Sequence, residues 1–324
     1  MSTTISTARA AAWLDERDNF LILTHRRPDG DTLGCAGALA KGLTEHGKTA
    51  YILYNPEITP RYLRFVEDCI APDDFSPEYV ISVDTATVDL FPKISKKYED
   101  SVSLCIDHHK SNTFYAELSC LDAGAASCGE IVYDILIALS GSISSTVAER
   151  LYVALSTDTG CFAFGNTTAK TLRTASFLIE AGAPHVKLNK QLFRTKTRSR
   201  LEIEGILISQ LEYMFDGKVA IATITRDMME ATGAGEDDLD DIAAIPGSVE
   251  GVCVGITIRE LSSVHDCKIS VRTRASHPYD AGVICAHFGG GGHKLAAGSS
   301  INKTADEVKQ MLFDLLSELY FTAK

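Results

Sequence analysis

Through the first 185 residues, short apolar runs alternate with segments whose apolar residues recur every three or four positions. Phe20-Leu-Ile-Leu-Thr24 is a short apolar run that ends at His25. Thr32 to His46 has helical spacing and stops at Gly47. Tyr51 to Tyr54, Tyr79 to Val83 and Ser103 to Ile106 read as further strands, and Ala126 to Leu139 as a helix. Thr146-Val-Ala-Glu149 has the spacing of a capping box, in which a hydroxyl and a carboxylate each accept from a helix-end N–H; it predicts a helix to about Ser156. Strands alternating with helices predict a doubly wound, mainly parallel sheet with helices on both faces.

From Pro184 to about Tyr213 the pattern is helical and more charged, with Arg194, Lys196, Arg198 and Arg200 close together. Such a run is either a solvated face or the lining of a cleft. Beyond it, Lys218 to Thr225, Gly251 to Ile258 and Cys267 to Arg272 read as strands, with a turn at Asp216-Gly217. Gly233 to Asp241 is acidic and loop-like. Thr304-Ala-Asp-Glu307 is a second capping box, and Val308, Met311, Leu312, Leu315, Leu316 and Leu319 line one face of the last helix. The expected organisation is an α/β domain over 1–185, a helical connector over 186–213, and a smaller C-terminal α/β domain over 214–324.

Composition narrows the function classes. Of 324 residues, 45% are hydrophobic and 23% charged, ordinary values for a soluble globular chain. The formal charge of -12, from 31 Lys+Arg against 43 Asp+Glu, argues against a coat for long nucleic acid, which needs basic surface. It leaves room for a small anionic substrate. The nine cysteines form no C-x-x-C pair and sit mostly among apolar residues, as in Cys105, Cys253 and Cys285, which fits a reducing compartment. Met1 to Glu16 has no apolar core of signal-peptide length, and no window approaches the roughly 18 to 20 apolar residues of a membrane span. The expectation is a cytoplasmic protein with no membrane partner.

Four polar clusters break the apolar pattern: Thr24-His25-Arg-Arg-Pro-Asp29-Gly-Asp31, Val83-Asp84-Thr85, Asp107-His108-His109 and Ser156-Thr-Asp158-Thr-Gly160. Three fall at the carboxyl ends of predicted strands, where open α/β sheets bind ligands. Burying an acid beside two imidazoles is costly without a partner, and a metal would be a partner for all three. His25, Asp29, Asp31, Asp84, His108 and Asp158 could serve two metals with one shared carboxylate. Oxygen donors with a few nitrogens and no thiolate suit Mn²⁺ or Mg²⁺, and the histidines favour Mn²⁺. Singly, each residue has a plainer reading: Asp31 as a helix cap, Asp107 as an acceptor orienting His108.

In the second domain, Gly289 to Gly292 would let backbone N–H groups approach an anion, with His293 and Lys294 beside them and Arg272 able to fork onto phosphate. The plainer reading is a glycine-rich turn; four glycines exceed what a turn requires, which favours the anion site.

His-x-x-Pro-Asp-x-Asp at 25–31, Asp84, Asp-His-His at 107–109 and Thr-Asp-Thr-Gly at 157–160 together resemble the four motifs of the DHH phosphoesterase superfamily. Ser270-Val-Arg272 and Phe288-Gly-Gly-Gly-Gly-His293-Lys-Leu-Ala-Ala-Gly298 resemble its DHH-associated substrate domain. The likeness covers nearly the whole chain. It implies that His25, Asp29 and Asp84 hold one divalent cation and Asp31, Asp84, His108 and Asp158 another, Asp84 bridging; Mn²⁺ is favoured, with Mg²⁺ or Co²⁺ as alternatives. It implies that His109 faces the scissile phosphate, with Asp107 behind the ligands, and that Ser270, Arg272, Gly290, Gly291, Gly292 and His293 bind substrate. Cys35 stands where members often have serine, and its side chain is expected to pack.

Chain length and the glycine-rich domain make the chain similar to the nanoRNase and 3′-phosphoadenosine-5′-phosphate (pAp) phosphatase group. That implies a cytoplasmic hydrolase of very short oligonucleotides such as pApA, and of pAp, with no long duplex as partner and with a homodimer as an admissible state. The alternatives are an inorganic pyrophosphatase of the same superfamily and a nucleotide-binding regulator without turnover.

Overall fold

Phe20 and Ile22 face one way along their strand and Leu21 and Leu23 the other, and all four are buried. A strand apolar on both faces belongs inside a parallel sheet. The computed structural model describes residues 2–239, 242–274 and 276–321. They divide into two compact units, Met1–Thr195 and Lys196–Lys324.

The first unit contains strands β1 (Thr3–Thr4), β2 (Phe20–Leu23), β3 (Ala50–Ile52), β4 (Tyr79–Val83), β5 (Val102–Asp107) and β6 (Leu118–Leu121). Its helices are α1 (Thr7–Asp15), α2 (Gly30–Glu45), α3 (Pro60–Leu63), α4 (Cys128–Ser140), α5 (Ser145–Asp158), α6 (Ala169–Glu180) and α7 (His185–Asn189). The strands form one parallel sheet in the order β1-β6-β5-β4-β2-β3. Phe20, Ile22, Ile81, Val83, Leu104 and Ile106 pack against Leu33, Leu39, Ile131, Ile135, Leu151 and Leu155 of α2, α4 and α5. The opposite face, with Leu21, Leu23, Val80, Val102 and Cys105, is covered by Phe91, Phe75, Tyr98 and Tyr115 from loops and short 3₁₀ turns. The α/β class matches the sequence reading; the second face has turns where helices were expected.

The second unit contains α8 (Arg198–Ser209), β7 (Glu212–Met214), β8 (Val219–Ile224), α9 (Arg226–Thr232), β9 (Val254–Glu260), β10 (Cys267–Thr273), α10 (Ala281–Ala286), β11 (Gly291–His293), β12 (Ala296–Ile301) and α11 (Ala305–Leu316). Its sheet runs β11-β12-β10-β9-β8-β7, parallel between β8 and β9 and antiparallel elsewhere. Ile256, Ile258, Ile269 and Val271 pack with Ile284, Val308 and Leu312 of α10 and α11.

Local chemistry explains where the elements begin and end. Thr304 and Glu307 form the expected reciprocal capping box at the start of α11. The one expected at Thr146 is absent: Ser144 caps α5 by accepting from the Val147 N–H, which draws Thr146 into the first turn. The helical stretch expected to reach Tyr213 is broken at Thr195, which is extended, restarts at a Thr197 cap, and gives way to β7 at Glu212. Of the basic residues there, Lys196 and Arg200 bond Glu204 and Arg198 bonds Glu202, at 2.6–2.8 Å. Those three therefore form an ion-paired face. The acidic loop ending at Asp241 is only partly described, because Asp240 and Asp241 lie outside the described residues. No described helix is long and apolar enough to cross a membrane.

Candidate metal centre

The parallel sheet brings the four polar clusters to one edge. His25 follows β2 by two residues, Asp84 follows β4 directly, Asp107 ends β5 and His108 follows it, and Asp158 ends α5. Asp29 caps α2, its Oδ1 accepting from the Asp31 and Thr32 N–H groups at 3.1 Å each. The cap is therefore Asp29, and Asp31 lies in the first turn of α2. Asp84 has a φ of +51°, which an aspartate tolerates better than most side chains and which turns the chain sharply off β4.

Each imidazole is aimed by a bond at its far nitrogen. His25 Nδ1 bonds the Arg26 carbonyl at 2.7 Å, and His108 Nδ1 bonds the Ala125 carbonyl at 3.2 Å. A carbonyl can only accept, so each Nδ1 carries the proton and each Nε2 offers its lone pair in the neutral ring. His25 Nε2 lies 3.9 Å from Asp29 Oδ1 and 3.7 Å from Asp84 Oδ2. His108 Nε2 lies 3.4 Å from Asp84 Oδ1, 3.7 Å from Asp31 Oδ2 and 3.8 Å from Asp158 Oδ2.

These separations exceed good hydrogen-bond length, about 2.7–3.2 Å. They suit neighbours on a shared cation, since ligands about 2.1 Å from one ion lie roughly 3 to 4.2 Å apart. Asp84 Oδ1 is buried without a hydrogen-bond partner among the described residues. Ligand atoms of His25, Asp29 and Asp84, and those of Asp31, His108 and Asp158, each fall within 4.8 Å of one another, as do those of Asp84, His108 and His109. The residues present fit divalent cations.

Without a cation the electrostatics are frustrated. Burial pushes Asp31 well above the ordinary carboxylate range, and the charges of Asp84 and Asp158 push it further. Burial raises Asp158 to about 6. For His25 and His108 burial works against the charged ring, but Asp84 outweighs it, helped by Asp29 for His25 and by Asp31 for His108, so the values rise to about 9 and about 10. Burial likewise opposes the charge on Asp84, and the imidazoles of His108 and His25 overcome it and hold Asp84 below the usual range. Cations would relieve the clustered negative charge that now keeps both rings protonated.

Asp107 serves His109, where the plainer reading of the sequence had it orienting His108. Asp107 Oδ1 accepts from His109 Nδ1 at 2.7 Å, and Oδ2 accepts from Asn112 Nδ2 at 2.6 Å. The same Oδ1 accepts from the His109 backbone N–H at 3.3 Å, while the His108 and His109 rings stand side by side, 4.6 Å apart edge to face, and both reach toward Asp84. His108 meets Asp107 only through its backbone N–H, which donates to Asp107 Oδ1 at 2.8 Å. His109 is 42% exposed, so its ring stands at the rim. Cys35 does more than pack: its thiol donates to Asp31 Oδ1 at 3.2 Å, while the Cys128 and Gly129 N–H groups hold the same carboxylate at 2.8 and 3.1 Å.

Three supporting residues went unread in the sequence. Thr32 donates to Asp84 Oδ2, Asn55 donates to the Thr24 hydroxyl and the His25 carbonyl, and Asn112 holds Asp107. Only the helical register of Thr32, one residue past Asp31 at the start of α2, carried a usable signal.

In the second unit, opposed residues of an antiparallel pair share a face. Ser270 opposes Gly298, which opposes Gly291; Arg272 opposes Ala296, which opposes His293. Ser270, Arg272, Gly291 and His293 therefore share the face turned away from buried Ile269 and Val271. Gly289 supplies a φ of +71°. A Cβ on Gly290 would lie 2.3 Å from the Gly298 oxygen, and one on Gly292 would lie 2.6 Å from the Ala296 oxygen. Turn and packing thus account for three of the four glycines, while Gly291 borders open space.

Residues 19–155 match the DHH family, N-terminal domain. The chain is 31% identical to the bifunctional oligoribonuclease and PAP phosphatase NrnA of Thermus thermophilus, over 86% of this chain and 83% of that one. It is 28% identical to the protein of the same name from Bacillus subtilis, over 92% and 94%. The crystal structure of an exopolyphosphatase-related protein from Bacteroides fragilis has the same fold, with a TM-score of 0.86 at 22% identity over 97% of this chain and 96% of that one. The domain match spans the strands that carry His25, Asp84 and His108, the NrnA relatives extend it across both units, and the chain belongs to the DHH phosphoesterase family.

Proposed function

We propose that this chain is a two-metal phosphoesterase that hydrolyses very short oligonucleotides, pApA among them, to mononucleotides, and pAp to AMP. The observation that carries the reading is the pairing at the sheet edge: two imidazoles, each with Nδ1 on a backbone carbonyl, turn Nε2 toward four carboxylates that include the orphaned Asp84 oxygen. In this reading His25, Asp29 and Asp84 hold one cation and Asp31, Asp84, His108 and Asp158 the other. Mn²⁺ is favoured by the mixed nitrogen and oxygen donors. When bound, two such cations supply a water acidic enough to attack at neutral pH and positive charge against the phosphoryl oxygens.

The chain's own residues supply the rest. His109 spends Nδ1–H on Asp107, and that carboxylate raises its pKa above the ordinary value, so Nε2–H at the rim is a proton donor for a phosphoryl or leaving-group oxygen. Asn112 fixes Asp107 from behind. In the second unit, Arg272, Ser270, His293 and the open backbone at Gly291, with Gly290 and Gly292 beside it, would take a further phosphate of the substrate. The net charge of -12 disfavours long strands, whose affinity rests on many phosphate contacts. Relatives named for both oligoribonuclease and PAP phosphatase activity support the two substrates.

The test is a side-by-side hydrolysis assay with Mn²⁺ on a 5′-phosphorylated RNA dinucleotide, a long RNA, pAp and pyrophosphate, with His108→Ala as control. Rapid loss of dinucleotide or pAp, with long RNA slow, is the expected result. Turnover of pyrophosphate alone would overturn the substrate assignment.

A further inference from the structure

Gly160, Cys161 and Phe162, just past Asp158, have φ values of +55°, +57° and +67°. L-residues visit this region singly and at a cost, so three in succession, two of them with side chains, must be held by their surroundings. The Cys161 N–H bonds the Ser156 carbonyl at 2.7 Å, and the Phe162 N–H bonds Thr159 Oγ1 at 3.1 Å, a hydroxyl itself fixed on the Leu155 carbonyl. Asn166 closes the loop, its Nδ2 donating to the Asp158 carbonyl at 3.1 Å and to the Ala126 carbonyl at 3.0 Å.

Core packing explains Phe162, whose ring meets Tyr152 at 5.8 Å edge to face. It does not explain Phe164. That ring is seated on Gly160, where a Cβ would lie 2.4 Å from ring carbon Cζ, yet the residue is 58% exposed. Gly160 is two residues from Asp158, at most about 7.6 Å between α-carbons. The strained turn therefore fixes an aromatic ring on Gly160, two residues past Asp158, and leaves much of that ring to solvent.

We propose that the outer face of Phe164 is a stacking platform for one nucleobase of the substrate, on the nucleoside attached to the phosphate held at the centre. This rests on the phosphoesterase reading above. Stacking on a phenyl ring accepts every base, so the platform would distinguish a nucleotide from a bare sugar phosphate without choosing among bases.

The experiment compares the wild type with Phe164→Ala and Phe164→Trp. The substrates are a 5′-phosphorylated diadenosine dinucleotide and two forms of it, each abasic at one position. Phe164→Ala is expected to raise KM for the intact dinucleotide about 5- to 150-fold with kcat little changed. It should leave KM unchanged for one abasic form, and Phe164→Trp should retain wild-type KM. Equal KM increases on all three substrates would reduce Phe164 to a prop for the loop and overturn the proposal, as would no increase on any.

Phe164→Trp also adds an exposed indole to a chain whose own Trp13 is buried. Its fluorescence should be quenched by AMP and not by ribose 5-phosphate. Quenching by AMP without any nucleotide hydrolysis by the wild type would retain the platform and sink the phosphoesterase reading. Normal hydrolysis with no quenching and no change in KM would sink the platform alone.

Discussion

The Thr32 hydroxyl donates to Asp84 Oδ2 at 2.6 Å, joining the first turn of α2 to the end of β4. With that oxygen bonded, Asp84 turns its unpartnered Oδ1 toward His108 Nε2, 3.4 Å away. Thr32→Val keeps the shape and removes the bond. Mn²⁺ affinity measured by calorimetry should fall about 10- to 100-fold, and Thr32→Ser should restore it. Unchanged affinity in the valine variant would show that Asp84 is positioned without Thr32.

Asp84→Ala and His108→Ala should each abolish dinucleotide hydrolysis while circular dichroism shows the fold retained. Both side chains lie at the sheet edge, clear of the apolar core beneath. Retained turnover in either variant would remove it from the metal set.

Metal loading should be steeply pH-dependent. His25 and His108 have values near 9 and 10 without metal, above the 6.5 of an ordinary imidazole. Cations must displace both protons, so apparent affinity should rise with pH from 6 toward 9, by up to about tenfold per unit for each proton displaced. The same shifts set metal-free stability. A raised imidazole value contributes stability that is complete below pH 6.5 and lost as pH climbs through 9 to 10, and Asp158, raised to about 6, adds to the same trend at lower pH. The depressed value of Asp84 acts only below the ordinary 3.8. The melting temperature in excess chelator should therefore fall between pH 6 and 9, and excess Mn²⁺ should abolish the fall.

Asp107→Asn should lower the His109 pKa toward its ordinary value, because the Asp107 bond is the largest cause of its rise. An NMR titration of the ring protons reads this directly. The pH profile of hydrolysis should lose activity at lower pH than in the wild type if His109 is the proton donor.

The glycines of the hairpin should separate by role. Gly290→Ala and Gly292→Ala drive a methyl group into strand backbone and should each cost about 1–3 kcal/mol or more of stability by denaturant unfolding. Gly291→Ala meets nothing within 4 Å, so stability should hold while KM rises if substrate approaches there.

The sequence exposed the centre because its residues break a strong pattern. Leu104 to Ile106 is apolar and buried, and Asp107-His108-His109 ends it abruptly. The six residues expected to hold metal do lie together at one sheet edge. What stayed hidden depends on direction in space. Which of two adjacent histidines Asp107 serves is set by the path of the chain past the strand end, which brings His109 Nδ1 onto Asp107, and the Ala125 carbonyl that aims His108 comes from a residue with no polar side chain. Strand β6 was missed because its four residues include a buried serine, Ser119, which the apolar pattern does not flag. The cap of α5 was misplaced because Ser144 and Thr146 both suit the position, and only the bond to Val147 decides between them.

Asp31 faces two ways. Its carboxylate holds the first two N–H groups of α4 as well as facing His108, so it fastens α2 to α4 besides belonging to the metal centre. The same atoms thus answer to two selective pressures, one for chemistry and one for keeping the molecule assembled. A descendant that abandoned catalysis would lose the ion pairs of His25 or His108 on replacing either, but would leave no helix-end N–H groups unbonded, whereas losing Asp31 would strip two such groups of their acceptor. Survival of that aspartate in a relative is therefore no sign that the relative is an enzyme, and the histidines are the residues to consult.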